Sequence, residues 1–441
     1  MDLAKSSFKA FSLKILGAVL FIVYSIFLAR ILSQGEYGVV MLAISVLTAL
    51  GPLCLLGFDR TTTKFAAVYY AEKQIPLLRG LLARARRTGL GFSFALLLIS
   101  GLLVVLGALN PAESRSRSIL LAVCILPLWS WVILNREFQR GLKLLAPALV
   151  GFQILRPLLA MIFTAIAFVS WKIDATWSVV FLGLALLIVI AIDSRQINRV
   201  LGATDKRVVY ESAKWLRTAK PLLFSMVMYT VMTRADMLMV GYILGVEEAA
   251  RYAVAARLAA IPDFILDAIR VVMAPLVSEY FHKDNLALMQ QQVSKASRWV
   301  FMAILPFAGS FIFFPKFFLG FFGKTYESAN MILVYLIIGQ CVNALSGTVG
   351  VLMTMTNLQK EHARIVSVGA VLFVIMCFVL IKWRGAEGAA LATALTMSLS
   401  NIWMIFVVKR KLGIVSYMQL GRVASLSHEK MPAGARSKGV V

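Results

Sequence analysis

Twelve stretches of this chain are long and apolar enough to cross a bilayer, and they leave little sequence for anything else. They run over 11–32, 38–58, 88–109, 118–135, 145–169, 176–193, 221–244, 250–277, 299–320, 328–354, 363–381 and 386–408. A helix needs roughly 20 apolar residues to span the hydrocarbon layer. The runs are continuous rather than alternating, so they read as helices and not as strands of a barrel. Of 441 residues, 60% are hydrophobic and 15% charged, against about 25% charged in a soluble domain. That composition excludes a cytosolic enzyme, a disulfide-rich secreted module and a disordered chain. The first run follows Lys5, Lys9 and Lys14 without a small-residue cleavage pattern, so it reads as a retained anchor.

The net charge is +24, which alone would suggest nucleic acid or anionic lipid as a partner. Position decides between them. With charges at span ends counted into the adjacent connection, 32 Lys and Arg fall on one side of the membrane and 9 on the other. Positive charge stays in the cytoplasm, so both termini are expected inside. The same asymmetry accounts for most of the excess charge without nucleic acid. Two basic connections, 59–87 and 194–220, read as amphipathic helices lying among headgroups, where they would meet anionic membrane lipids. The remainder, 412–441, is polar and basic and is expected to be a disordered cytoplasmic tail.

The chain echoes itself. Ala29-Arg30-Ile31-Leu32-Ser33 with Glu36 returns as Gly241-Tyr242-Ile243-Leu244-Gly245 with Glu248, an offset of 212. A weaker echo links Gln139-Arg140-Gly141-Leu142-Lys143 with Asn357-Leu358-Gln359-Lys360. Each pairs span n with span n+6, so the copies share one membrane orientation. The expected architecture is all-α and integral to the membrane, with about twelve transmembrane helices. Two six-helix lobes, 1–200 and 201–411, would flank a central cavity.

Charges within spans narrow the function. An Arg or Asp at a helix centre costs about 2.5–3.5 kcal/mol on insertion scales, so it usually faces a cavity or a partner. Arg156 lies mid-span beside Pro157; Arg234 and Asp236 lie in span 7; Arg257, Asp263, Asp267 and Arg270 lie along span 8. At about 100° per residue, Asp263, Asp267 and Arg270 share one stripe. Such residues can be salt bridges pinning helices, or cations lining a solvated cavity for an anionic substrate. Arginine outnumbers aspartate, and its planar fork suits phosphate.

Enzyme signatures are lacking. Cys54, Cys124, Cys341 and Cys377 are isolated within spans, and His282, His362 and His428 are distant from the acidic positions. No P-loop, HExxH or nucleophile elbow occurs, so no cofactor or metal is expected.

The stretch Phe27-Leu28-Ala29-Arg30-Ile31-Leu32-Ser33-Gln34-Gly35-Glu36-Tyr37-Gly38 resembles the first hairpin of the Wzx-type polysaccharide flippases. These belong to the multidrug/oligosaccharidyl-lipid/polysaccharide exporter superfamily. Arg234-Ala235-Asp236-Met237-Leu238-Met239-Val240-Gly241-Tyr242, followed by Glu248, Tyr252 and Arg257, is similar to the opening of that family's second half. The resemblance implies a transporter, not an enzyme, in the bacterial inner membrane. By alternating access it would move a polyprenyl-pyrophosphate-linked oligosaccharide to the periplasmic leaflet for surface polysaccharide synthesis. It also brings in a polysaccharide polymerase complex as a partner, and coupling to a proton or sodium gradient. The family's cationic cavity maps by type and position onto Arg30, Arg156, Arg234, Arg257 and Arg270, with Asp236, Asp263 and Asp267 as candidates for the ion. Two alternatives stand beside it. A cation-coupled drug antiporter of the same superfamily would carry net acid in its cavity. A membrane polymerase or ligase would carry a large periplasmic loop, whereas these connections are short.

Overall fold

Ser33 sets the first hairpin. α1 (Asp2–Ile31) stops there, and the Ser33 side chain accepts the Glu36 amide at 3.3 Å as the N-cap of α2 (Gln34–Cys54). The computed structural model describes residues 2–170, 172–202 and 207–417. α3 (Phe58–Ala71), α4 (Ile75–Val105) and α5 (Ser114–Gly141) follow, then a short α6 (Leu145–Leu149) and a π-helical turn over Val150–Leu155. α7 (Arg156–Ser170), α8 (Ala175–Leu201) and α9 (Ser212–Ile243) lead to α10 (Val246–Ala259) and α11 (Ile261–His282). α12 (Leu286–Phe313), α13 (Pro315–Gly320), α14 (Asn330–Leu345), α15 (Val349–Met355) and α16 (Gln359–Leu412) complete the chain. No strand occurs among the described residues.

Among the described residues, ten helices are long and apolar enough to span by themselves. The other two expected spans are present in altered form. α16 is two helices joined at Arg384 and Gly385, where φ of Gly385 is +61°. A Cβ on Gly388 would stand 1.9 Å from the Leu380 carbonyl, so the join depends on that missing atom. The eighth run is split into α10 and α11 at Ala260, and Asp263, Asp267 and Arg270 make α11 too charged to register as apolar.

The two basic connections depart from expectation. Residues 59–87 are not one surface helix: α3 ends at Ala71, a turn follows, and α4 starts at Ile75 with Leu78, Leu81 and Leu82 buried. The segment 194–220 is likewise divided, with 194–201 closing α8 and Ser212 opening α9; Lys206 lies outside the described residues. Both were expected to lie flat because basic and apolar residues alternate in them. Instead part of their apolar surface packs on protein, through Phe65, Tyr69, Ile197 and Trp215, while Val68, Tyr70, Val208 and Leu216 stay exposed. Trp215 is buried and donates through Nε1 to the Tyr69 hydroxyl at 3.0 Å, and the Val209 amide donates to the Pro76 carbonyl at 3.1 Å. Gly57, at φ +82°, turns α2 into α3; a Cβ there would stand 2.3 Å from the Ala219 carbonyl.

By internal contacts the chain divides into Met1–Val254 with Phe321–Thr325, and Ala255–Gly320 with Tyr326–Val441. In the first unit, α2, α4 and α8 pack on α5, and α9 packs on α2. In the second, α14 packs on α16 and on α12, and a separate buried cluster that includes Val277, Met289, Val293 and Leu352 joins α11, α12 and α15. Part of the expected tail belongs to this second unit. Gln290 exchanges hydrogen bonds with Val415 at 2.7 and 2.9 Å, and the Ser297 hydroxyl donates to the Ser416 carbonyl at 2.7 Å. Residues 418–441 lie outside the described residues.

Candidate functional site

In the first unit the candidate site centres on Arg156. Pro157 lacks an N–H, and its ring would meet the carbonyl four residues back, at Gln153. The π turn over Val150–Leu155 ends just before this pair, widening the helix where the clash would fall. Arg156 opens α7 with 8% of its surface exposed. Its guanidinium carbon lies 4.1 Å from the Phe152 ring centre, 4.7 Å from Trp129 and 5.8 Å from Phe21. Trp129 and Phe152 meet edge to face at 5.8 Å, and Arg136 covers Phe152 at 4.5 Å. The ring faces are electron-rich, so they stabilise a buried cation while leaving its N–H edge to other partners.

A second polar layer lies near the ends of α5 and α8. Glu137, buried, accepts from the Thr63 hydroxyl at 3.0 Å and pairs with Arg136 at 2.9 Å and Arg140 at 3.1 Å. Gln139 Nε2 donates to Asp193 at 3.1 Å and to Gln196 at 3.2 Å. Gly151, within the π turn, leaves room for the Asp193 carboxylate, which would stand 2.9 Å from a Cβ. The Arg86 guanidinium donates to Asn135 at 3.1 Å and lies 5.2 Å from the Trp131 ring. Sequence reading passed over Glu137 and Asp193 and took Gln139 only as part of the internal echo. Their signal was polar residues three or four apart near the end of a span, which one helix face would bring together.

In the second unit, Asp263 on α11 is the centre. Gln340 donates to its Oδ2 at 2.8 Å and Asn343 to its Oδ1 at 3.4 Å. Asn343 Oδ1 accepts in turn from Asn401 at 3.2 Å and from Arg270 at 3.5 Å. Arg270 also pairs with Asp267 at 3.1 Å. The expected stripe of Asp263, Asp267 and Arg270 is therefore joined into one network, through Asn343. Both Asn343 and Asn401 are buried, while Asp267 is exposed.

The remaining candidates are dispersed. Arg30 is exposed and donates from Nε to the Phe321 carbonyl at 2.9 Å. Asp236 accepts from the Tyr252 hydroxyl at 2.6 Å and the Met237 amide at 2.7 Å. Arg234 is exposed, and Arg257 is half-buried on α10. Among the described residues, no three His, Cys, Asp or Glu side chains come together as a metal site would need.

A family model described as polysaccharide biosynthesis protein matches residues 3–281. The chain belongs to that family. A second model, MatE, matches residues 221–385, and both lie within the multidrug/oligosaccharidyl-lipid/polysaccharide exporter superfamily. No curated relative matches the sequence significantly. Among solved structures, an inward-facing multidrug resistance MATE family transporter of that superfamily aligns with a TM-score of 0.75 at 11% identity, over 92% of this chain and 98% of the other. The lipid II flippase MurJ, in an inward closed conformation, aligns at 0.72 and 16% identity, over 90% of this chain and 87% of the other. A superfamily transporter from Pyrococcus furiosus, whose binding pocket is described as reversed in polarity, aligns at 0.64 and 9% identity, over 93% and 96%. These likenesses give this family member the twelve-helix, two-lobed fold that the repeat predicted. It is a multi-pass membrane protein.

Proposed function

We propose that this protein flips a polyprenyl-pyrophosphate-linked oligosaccharide from the cytoplasmic to the periplasmic leaflet of the bacterial inner membrane. The process is alternating access, and the product feeds surface polysaccharide synthesis. The polysaccharide biosynthesis match over 3–281 carries this reading. The buried cation at Arg156 agrees with it. A diphosphate and its sugars cannot cross hydrocarbon unaided, whereas the prenyl tail can remain in the bilayer. Arg156 takes the place of water around the diphosphate, and Arg30, Arg234, Arg257 and Arg270 are the further candidates for contact with it. Asp236, Asp263 and Asp267 are the candidates for a coupling proton or sodium ion. An ion or substrate drives the cycle only through unequal affinity for the two states.

The test is purified protein in vesicles carrying a lipid-linked oligosaccharide, with an external glycosidase or lectin reporting exposure. The protein should speed exposure of the inner pool, and Arg156→Ala should abolish that gain. Vesicles that accumulate a cationic drug but leave the oligosaccharide in place would point to the antiporter alternative. Lengthening of the glycan would point to a polymerase.

A further inference from the structure

Two surface grooves remain outside the charge networks above, and they share one pattern. The first lies on α4, lined by Arg84, Arg87, Thr88, Gly91, Phe92 and Ala95, with Leu56 as a side wall; its volume is about 390 Å³. The second lies on α12, lined by Gln291, Ser294, Lys295, Arg298, Trp299 and Met302; its volume is about 400 Å³. Counted from its first residue, each uses positions 0, 3, 4, 7, 8 and 11. That is one continuous helix face three turns long. The helices are spans 3 and 9, the same n to n+6 relation seen in the sequence echoes.

The side-chain types recur, with the ring and the apolar wall at the same positions and the cation pair at 0 and 3 in the first groove but at 4 and 7 in the second. Each groove holds two cations three residues apart, Arg84 with Arg87 and Lys295 with Arg298. Each holds a hydroxyl beside them, Thr88 or Ser294, and an aromatic ring at position 8, Phe92 or Trp299. Beyond the ring the wall is apolar, Ala95 in one and Met302 in the other. The cations stand toward the start of each helix, which the charge asymmetry assigns to the cytoplasmic side. Among the described residues, Arg84, Arg87 and Lys295 enter no salt bridge, and Arg87 and Lys295 are exposed. Gly91 has open space where its Cβ would be, so nothing in the protein fills the middle of the first groove.

A cationic rim over an apolar floor at headgroup depth matches a phosphate with acyl chains below it. We propose that each groove seats one anionic phospholipid of the cytoplasmic leaflet, its phosphate on Arg84 and Arg87 or on Lys295 and Arg298, and its chains along the aromatic and apolar wall. The occupant is phospholipid rather than the prenyl-linked substrate because the site occurs once in each repeat. One substrate molecule has no use for a matched pair, whereas bulk lipid meets both repeats alike.

Native mass spectrometry of the full-length protein, released from nanodiscs of mixed phosphatidylglycerol and phosphatidylcholine, tests this without measuring transport. The intact protein should retain two phosphatidylglycerol molecules more firmly than any phosphatidylcholine. Arg84→Gln with Arg87→Gln should lose one, Lys295→Gln with Arg298→Gln the other, and the fourfold variant both. Gly91→Leu fills the first groove without changing charge and should also lose one, which separates site occupancy from general attraction. Equal retention of the two lipids, or two phosphatidylglycerols kept by the fourfold variant, would overturn the proposal. So would displacement of both by a polyprenyl diphosphate at equimolar ratio, which would make the grooves substrate docking points.

Discussion

The Tyr69 hydroxyl donates a 2.5 Å hydrogen bond to Glu211 Oε2, tying α3 to the segment that starts α9. The same hydroxyl accepts from buried Trp215, and Glu211 also pairs with Lys214 at 2.9 Å. Burial above all, and then the neighbouring carboxylate, raise the Tyr69 pKa, so the phenol stays a donor. The hydrogen bond from Tyr69 and the pairing with Lys214 hold Glu211 below its usual range. A depressed carboxylate stabilises the fold above its unfolded value, near 4.5, and loses that contribution as pH falls through the folded value. Thermal melts from pH 7 down to about pH 3 should therefore show an extra loss below the unfolded value near 4.5 in the native protein that Glu211→Gln lacks. Tyr69→Phe should cost about 1–3 kcal/mol by leaving the Trp215 N–H without an acceptor. Parallel pH curves for the native protein and the Glu211 variant would refute the link.

Close backbone approach, not helix propensity, decides what a glycine tolerates here. A Cβ on Gly38 would stand 1.9 Å from the Val246 carbonyl, and one on Gly80 1.8 Å from the Val209 carbonyl. Both obstacles are backbone and cannot rotate away. Gly101, on the exposed face of α4, meets nothing within 4 Å. Gly38→Ala and Gly80→Ala should each lower the unfolding midpoint in detergent. Gly101→Ala should leave it unchanged or raise stability by about 0.5–1 kcal/mol. The same ranking for all three would show that these approaches relax freely.

Much of the fold was legible because span length and charge asymmetry are set by the bilayer, not by local packing. Gly38, already in the quoted hairpin motif, turns out to be where α2 meets Val246. What escaped notice depends on partners distant in sequence. Glu137 and Asp193 sit near span ends, where a lone acid reads as facing headgroups; Thr63 joins Arg136 and Arg140 around Glu137, and Gln139, from another helix, meets Asp193. The π turn before Arg156 was hidden for a related reason. Pro157 announces a disturbed helix but not which way the backbone yields. The flat-helix reading of 59–87 failed because a basic amphipathic pattern fits a membrane surface and a protein surface equally well.

Orientation rests on charge alone and has its own test. Reporter fusions after Ile75, at the start of α4, and at the C-terminus should both score cytoplasmic. A periplasmic signal at both would invert every assignment of leaflet, the two grooves included, and a signal at one alone would break the twelve-span topology.

The three rings around Arg156 recognise a flat cation, so charge and shape separate in the variants. Arg156→Lys keeps the charge but loses the planar face and the fork. A cation over an aromatic face contributes about 0.5–2 kcal/mol. If the protein flips the proposed substrate, flipping by Arg156→Lys should then fall about tenfold, as 1.4 kcal/mol requires, and Arg156→Ala should fall further. Full activity in the lysine variant would mean that only the charge matters.

Asp263 is the candidate whose partners make the ion hypothesis testable without unfolding the lobe. Both of its oxygens accept from carboxamides, Gln340 at 2.8 Å and Asn343 at 3.4 Å. Asp263→Leu would leave the half-buried Gln340 amide without its acceptor, while buried Asn343 still donates to Gln340 Oε1 at 3.3 Å, and should destabilise by about 1–3 kcal/mol. Asp263→Asn keeps the size and one acceptor, and the Gln340 amide can turn to meet the new N–H. Stability should then change by about 1 kcal/mol or less, so a functional defect would reflect lost charge. If Asp263 carries the coupling ion, the asparagine variant should either stop flipping or flip at a rate indifferent to collapse of the gradient. Transport that keeps its native dependence on the gradient would remove Asp263 and leave Asp236 and Asp267. Asp267 would then be the weaker of the two, because it is exposed and already paired with Arg270 at 3.1 Å.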